Sequence, residues 1–325
     1  LSNALQIDGK YPEARFLNGQ VAEKRGELRE ALINYQTALD GNPKYSDARA
    51  SLARLYLMAG LLDKATELVE IGLKDDPKNP ALMTVNAGLK SQKGDLTAAI
   101  EEAEASQRLA PGDELNVALL ASLYKQNNQP EKAVQVIELA LHQLPKSLDL
   151  HLVLADLQIS LNDLDQAVKQ VEKIIQLEPK KLEYRIRLAQ LYLYKKDLQA
   201  SESVLRQAIK DLPDQQDAKL ALVDYLWSQR SEEEAINEVA TLVAKEPKNA
   251  QLKVTLGGYL QRQGKIDQAE RIFKEVIDKF GDEGAGHDAR NRLASLYLIH
   301  RNQPEKAAVL IDPVSYTHLT LPTIL

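Results

Sequence analysis

Residues 114–147 read ELNVALLASLYKQNNQPEKAVQVIELALHQLPKS, and residues 148–181 read LDLHLVLADLQISLNDLDQAVKQVEKIIQLEPKK. Laid one over the other, the two stretches agree in kind rather than in identity. Both have alanine at the eighth place (Ala121, Ala155), asparagine at the fifteenth (Asn128, Asn162), alanine at the twentieth (Ala133, Ala167) and proline at the thirty-second (Pro145, Pro179). That proline recurs every 34 residues, at Pro43, Pro77, Pro111, Pro145, Pro179, Pro213 and Pro247. A fixed period of roughly 20–50 residues marks a repeat architecture, in which each unit buries its apolar face only against its neighbours.

Each place in the unit has a physical reason. Apolar residues recur three and four apart, as in Leu52, Leu55 and Tyr56 and again in Leu68, Val69 and Ile71. This spacing predicts two amphipathic helices per unit. With Pro12 as position 1, later units start at Ser46, Pro80, Glu114, Leu148, Leu182, Gln216 and Ala250. Position 8, where the two helices meet, is Gly19, Ala53, Ala87, Ala121, Ala155, Ala189, Val223 and Gly257. Position 20 is alanine except at Ser201. Small residues at both places let helices approach to roughly 8–10 Å. Position 15 holds Gly26, Gly60, Gly94, Asn128, Asn162 and Gly264, which tolerate the left-handed geometry of a helix C-cap, while Lys196 and Arg230 depart from the pattern. The proline at position 32 ends the second helix because it cannot donate to the helix ladder. Asn79 before Pro80 is an N-cap signal, and Ser46, Asp113, Ser147 and Asn249 stand at comparable places. No stretch reads as a strand, so the expected fold is an all-α solenoid of helix–turn–helix hairpins.

On this frame residues 1–11 are the end of a truncated preceding repeat, 12–283 are eight repeats, and 284–313 are a partial ninth after a short Gly-rich insertion. The run Gly281–Gly286 reads as a connecting loop; it lacks the Lys-Ser/Thr and the preceding strand of a phosphate loop. The ninth hairpin resumes as LASLYLIHRNQPEKA (293–307), an echo of LASLYKQNNQPEKA (120–133). Residues 314–325, VSYTHLTLPTIL, break the pattern: they are threonine-rich and uncharged, with Pro322 inside. They read as a non-native tail derived from an adapter or vector, with a poorly ordered native tail as the alternative. The array is expected to be cut at both ends, with any targeting segment upstream.

Composition narrows the function classes. The 325 residues carry a net charge of −6, which argues against nucleic acid as a partner, since phosphate binding needs a concentrated basic surface. There is no cysteine, and hence no disulfide or thiolate chemistry. No apolar run approaches the roughly 18 residues of a membrane span. The histidines His142, His151, His287, His300 and His318 stand in no metal-ligand spacing, and His142 and His151 read as a solvated pair. Glu101 and Glu102 occupy neighbouring rather than facing helix positions, which offers no acid–base geometry. No enzymatic motif, cofactor or metal is expected.

These positions, recurring in register from residue 4 to 312, resemble the tetratricopeptide repeat (TPR) family. The segments NALQIDGKYPEARFLNGQVAEKRG (3–26), DARASLARLYLMAG (47–60) and ARNRLASLYL (289–298) are similar to long TPR lipoproteins of Gram-negative bacteria, some of which accompany exopolysaccharide export and PEP-CTERM protein sorting. The resemblance implies a right-handed superhelix and a lipid-anchored or periplasmic location in the cell envelope. It also implies that positions 2, 5, 9 and 12 of each first helix line the concave face. In the fifth to seventh repeats those positions hold Asp149, Leu152, Asp156 and Ile159, then Glu183, Ile186, Gln190 and Leu193, then Asp217, Leu220, Asp224 and Trp227. This is an apolar ribbon with acidic edges, suited to an amphipathic or basic peptide. Trp227, the only tryptophan, is either an exposed anchor for that peptide or packing against the neighbouring hairpin. TPR domains that clamp a C-terminal carboxylate carry lysine at position 5. Here that position is Phe16, Ala50, Thr84, Ala118, Leu152, Ile186, Leu220 and Val254, none cationic. The expected function is a non-catalytic scaffold binding a protein or peptide. Two alternatives stand beside it: a cytosolic TPR adaptor, and a substrate-presenting arm of a larger enzyme such as a glycosyltransferase.

Overall fold

The computed structural model describes residues 11–281 and 284–311. Among them the chain forms eighteen α-helices and no strand. The chain divides into two units, Leu1–Pro179 and Lys180–Leu325. The first contains α1 (Pro12–Lys24), α2 (Leu28–Gly41), α3 (Ser46–Met58), α4 (Leu62–Asp75), α5 (Pro80–Gln92), α6 (Leu96–Leu109), α7 (Glu114–Gln126), α8 (Pro130–Gln143), α9 (Leu148–Ser160) and α10 (Leu164–Leu177). The second contains α11 (Leu182–Tyr194), α12 (Leu198–Asp211), α13 (Gln216–Gln229), α14 (Glu232–Lys245), α15 (Ala250–Arg262), α16 (Ile266–Phe280), α17 (Gly284–Ile299) and α18 (Pro304–Leu310). Within each unit every helix packs on its successor. First helices of successive hairpins also touch: α3 with α5, α5 with α7 and α7 with α9 in the first unit, α11 with α13 and α15 with α17 in the second. The expectations for residues 1–10 and for the tail 314–325 lie outside the described residues.

The size of position 8 is matched to position 24 on the second helix of the same hairpin. A Cβ on Gly19 would meet Tyr35 Cε1 at 2.4 Å, and one on Gly257 would meet Phe273 Cε1 at 2.5 Å. Where position 8 is alanine, position 24 is smaller than an aromatic ring: Val69, Ala103, Ile137, Val171 and Leu205. All these side chains are buried. Each hairpin therefore holds a complementary volume at its crossing, as close packing demands. Ser201, the one departure from alanine at position 20, is fully buried and donates its hydroxyl to the Ala189 carbonyl at 2.9 Å.

Position 4 of the first helix carries a series of cationic or polar heads turned inward. Arg15, Arg49, His151, Arg185, Lys219 and Lys253 occupy it. Arg15 donates to Asn34 at 3.2 Å, and Arg49 to the Pro43 carbonyl. Arg185 pairs with Asp211 at 3.1 Å, Lys219 with Glu246 at 2.6 Å and Lys253 with Glu275 at 2.6 Å. The long stems lie against the hairpin while the heads reach a carbonyl or carboxylate. The hydrogen bond from Lys219 holds the Glu246 carboxyl below its usual range, and those from Lys253 and Lys279 bring Glu275 to about 2. His151 belongs to this series and corrects the expectation of a solvated pair. It is buried, its Nε2–H donates to the Pro145 carbonyl at 3.1 Å, and its Nδ1 lies 2.8 Å from the Gln170 amide, while His142 is exposed. A second buried polar cluster joins α5, α6 and α7. Asn116 donates to the Ala103 carbonyl at 3.0 Å, and Thr84, Ser106 and the Pro80 carbonyl hydrogen-bond beside it.

Asn79, Asp113, Ser147 and Asn249 accept from backbone N–H groups as N-caps, and Asp95, Asp163, Asp197 and Ser231 do the same for second helices. Ser46 does not cap α3: it is the first helical residue, one place after Tyr45, and makes no side-chain cap bond. Lys196 keeps the left-handed turn of position 15, at φ +61°, although it has a Cβ. Arg230 does not: α13 runs one residue longer than the preceding first helices and Arg230 leaves it at φ −120°. The Gly281–Gly286 run is a loop only in part. Gly281 ends α16 at φ +50°, but Gly284, Ala285 and Gly286 already belong to α17. A Cβ on Gly286 would lie 2.1 Å from the Gly281 carbonyl oxygen, so the glycine permits a close approach of backbone to backbone.

Candidate functional site

In the first unit α9 presents Asp149 and Asp156 exposed, with Leu152 half-buried between them. In the second unit α11 presents Gln190 exposed, with Ile186 and Leu193 half-buried, and α13 presents Asp217 and Asp224 exposed, with Leu220 and Trp227 half-buried. The alternation follows helix geometry: positions 2 and 9 stand at the rim, while positions 5 and 12 lie over the core. Leu193, Leu220 and Trp227 pack on the apolar core of the second unit, beside Leu222, Leu226 and Tyr259. Trp227 is thus neither a free anchor nor a wholly buried spacer.

The structure adds residues that positions 2, 5, 9 and 12 did not point to. The Trp227 and Tyr259 rings are 4.7 Å apart and tilted by 45°, and the Arg262 guanidinium stacks within 6.0 Å of the first and 5.5 Å of the second. The Tyr259 hydroxyl donates to Asp224. Burial pushes the Tyr259 hydroxyl pKa up, and the Asp224 carboxylate pushes it further, while Arg262 and Arg292 pull it back. Leu220, Asp224, Thr255, Tyr259, Arg262 and Arg292 line a cavity of about 180 Å³. A second cavity of about 530 Å³ shares Gly258, Arg262 and Arg292 with the first and extends over Asp288, Asn291 and Ser295. The acidic edge seen on α13 therefore meets two guanidinium groups on α15 and α17. Arg262 stands at position 13, and Arg292 belongs to the hairpin after the frame slips, so neither lay on the ribbon read from the repeat.

Among the described residues no group of three or more His, Cys, Asp or Glu could hold a metal ion, and no helix is long and apolar enough to cross a membrane.

Tetratricopeptide repeat family models match residues 24–85, 117–141, 148–181, 186–250 and 254–311. The chain belongs to the tetratricopeptide repeat family. TPR arrays are scaffolds for protein–protein interaction and are in general non-catalytic, and the stacked hairpins described above are their all-α fold. TTC0263, a thermophilic TPR protein of Thermus thermophilus, is 24% identical, with TM-score 0.49 over 56% of this chain and 99% of that one. Pseudomonas aeruginosa pilF is 18% identical, with TM-score 0.47 over 68% of this chain and 100% of that one. The APC/C hetero-tetramer Cut9–Hcn1 is 16% identical, with TM-score 0.51 over 69% of this chain and 45% of that one, a likeness of fold alone. No curated protein matches the chain.

Proposed function

We propose that this TPR protein is a non-catalytic scaffold that holds an extended peptide or a protein segment along the face formed by the first helices of its second unit. The observation that carries this reading is the surface of α11 and α13. There Leu193, Leu220 and Trp227 lie half-buried in line, flanked by exposed Gln190, Asp217 and Asp224. Such a strip gives an extended chain apolar contact and hydrogen-bonding edges together. Ile186 on α11 belongs to the same strip, and Leu152, Asp149 and Asp156 hold the equivalent register positions on α9 of the first unit. The test selects binders from a displayed random-peptide library on the purified protein and measures their affinity for a Leu220→Ala, Trp227→Ala double variant. Affinity should fall while helicity by circular dichroism is retained. Equal affinity for the double variant sinks the site.

The resemblance to envelope lipoproteins supports a location in a bacterial cell envelope, with a role in polysaccharide export or protein sorting. Fractionation of the native host with an antibody to this chain tests the location. Recovery in the soluble cytosolic fraction would favour the adaptor reading instead.

A further inference from the structure

We propose that the Arg262–Arg292 pair is an acid-recognition subsite in the partner groove, holding an aspartate or glutamate side chain within an internal segment of the bound peptide. The proposal rests on the peptide-groove reading above and specifies the chemistry of its occupant.

Four observations meet at this point. Both arginines are exposed, and neither has an ion pair with another described residue. Arg262 is held by the faces of Trp227 and Tyr259, and Arg292 lies over the bare backbone of Gly258, where a Cβ would meet its Nη1 at 2.6 Å. Both guanidiniums line the same two cavities, the smaller of which also includes Tyr259. The nearby carboxylates point their hydrogen bonds elsewhere, Asp224 accepting from Tyr259 and Asp288 from Gln251 at 3.3 Å, and neither forms an ion pair with the two arginines.

A guanidinium offers a planar fork that fits a carboxylate, and one held by stacking loses less freedom when it binds. Two guanidiniums that line the same two cavities, neither ion-paired with a described residue, are complementary to an anion. The anion is assigned to an internal side chain because the cavities of about 180 and 530 Å³ both include Gly258, Arg262 and Arg292. Open space on either side of the pair lets the peptide run on in both directions instead of ending there. The rim acids Asp217 and Asp224 then favour a basic or polar residue in the part of the peptide over α13. The occupant expected from the whole surface is a segment of mixed charge, acidic toward α17 and apolar or basic toward α13.

The experiment uses the displayed random-peptide library, with each random segment flanked on both sides so that no free C-terminus is presented. Selection runs in parallel on the wild-type chain, Arg292→Gln and Arg262→Gln. Selected sequences are remade as fluorescein-labelled peptides for anisotropy titration. The wild type should enrich Asp or Glu at one position. Changing that residue to Asn or Gln should weaken binding at least tenfold, and Arg292→Gln should remove both the enrichment and the difference. Asp224→Asn should leave the acidic preference intact or strengthen it. Binders that depend on Leu220 and Trp227 but show no acidic preference would overturn this subsite and leave the groove reading standing. An acidic preference that survives in both arginine variants would overturn it too. Failure to obtain any binder sensitive to Leu220→Ala, Trp227→Ala would remove the groove reading and the subsite together. Binding that appears only when the same peptides carry a free C-terminal carboxylate would reassign the pair to chain ends and overturn the internal-segment proposal.

Discussion

Gly257→Ala sets a methyl group against the ring of Phe273. The Cβ would lie 2.5 Å from Cε1 and 3.0 Å from both Cδ1 and Cζ. Ordinary carbon contact is roughly 3.5–4.0 Å, so the ring must withdraw by about 1 Å. Phe273 is fully buried, so there is no free space to withdraw into. Overpacking of this kind costs about 1–3 kcal/mol. Alanine is favoured over glycine in a helix interior by about 1 kcal/mol, which leaves a net change of roughly 0–2 kcal/mol toward destabilisation. Phe273→Leu alone is also destabilising, by a fraction of the ~3–5 kcal/mol of a full truncation to alanine. Together the two changes recreate the Ala189–Leu205 combination that the chain already uses in the α11–α12 hairpin. The double variant should therefore be more stable than the sum of the single effects by about 1–2 kcal/mol, within the range seen for contacting residues. Repeat arrays unfold in segments, so the readout is amide hydrogen exchange in α15 and α16, supported by urea denaturation followed by circular dichroism. Additive single effects, or a Gly257→Ala variant stabilised by the full ~1 kcal/mol that alanine gains over glycine in an unobstructed helix, would refute the idea that glycine is required by the ring.

Lys196→Gly should stabilise the α11–α12 hairpin by about 0.5–1 kcal/mol, the ~1–2 kcal/mol left-handed penalty less glycine's greater chain entropy. Arg230→Gly should give no such gain in the same urea titration, because Arg230 does not adopt positive φ. Glu275 has its pKa lowered to about 2 by hydrogen bonds from Lys253 and Lys279, so the folded state binds this proton less tightly than the unfolded chain. The pair's contribution is fully present above the unfolded carboxylate range near ~4.3 and is lost as pH falls toward 2. Lys253→Met should raise the Glu275 pKa and flatten that acid limb, as followed by carboxyl NMR titration and circular dichroism; an unmoved pKa would refute the assignment. Asn116→Ala removes the donor to the Ala103 carbonyl and disturbs the hydrogen bonds of Thr84 and Ser106. The expected cost is about 1–3 kcal/mol, and a loss below ~0.5 kcal/mol in urea would show the cluster to be dispensable.

The hairpins were legible in the sequence because their rules are local and repeated. Small residues at positions 8 and 20, a left-handed turn at position 15 and a helix-ending proline at position 32 act over a few residues each. What stayed hidden depends on which side chains meet across helices. The charges of Lys219, Arg185 and Lys253 look like ordinary solvated residues until Glu246, Asp211 and Glu275 are brought to them. Lys196 looked like an exception to the turn rule, yet the turn forms regardless, since the packing around it determines the backbone. Gly286 looked like loop, because its role is an approach to Gly281 that spacing alone does not reveal. At the candidate site, Leu220, Asp224 and Trp227 followed from repeat position. Arg262 and Arg292 did not, because they line the cavities beside Trp227 and Tyr259 from α15 and α17, and repeat register does not specify which side chains meet there.

The matched volumes at positions 8 and 24 also bear on how such an array can be inherited. Recombination at the 34-residue prolines moves a first helix together with its own second helix, so each crossing arrives already fitted. An exchange point in the turn between the two would set a glycine against a valine, or an alanine against a phenylalanine, and leave either a void or a clash. Duplication and shuffling of this chain should therefore be tolerated in one phase of the repeat and penalised in the other, which makes the hairpin that begins with a first helix the heritable module.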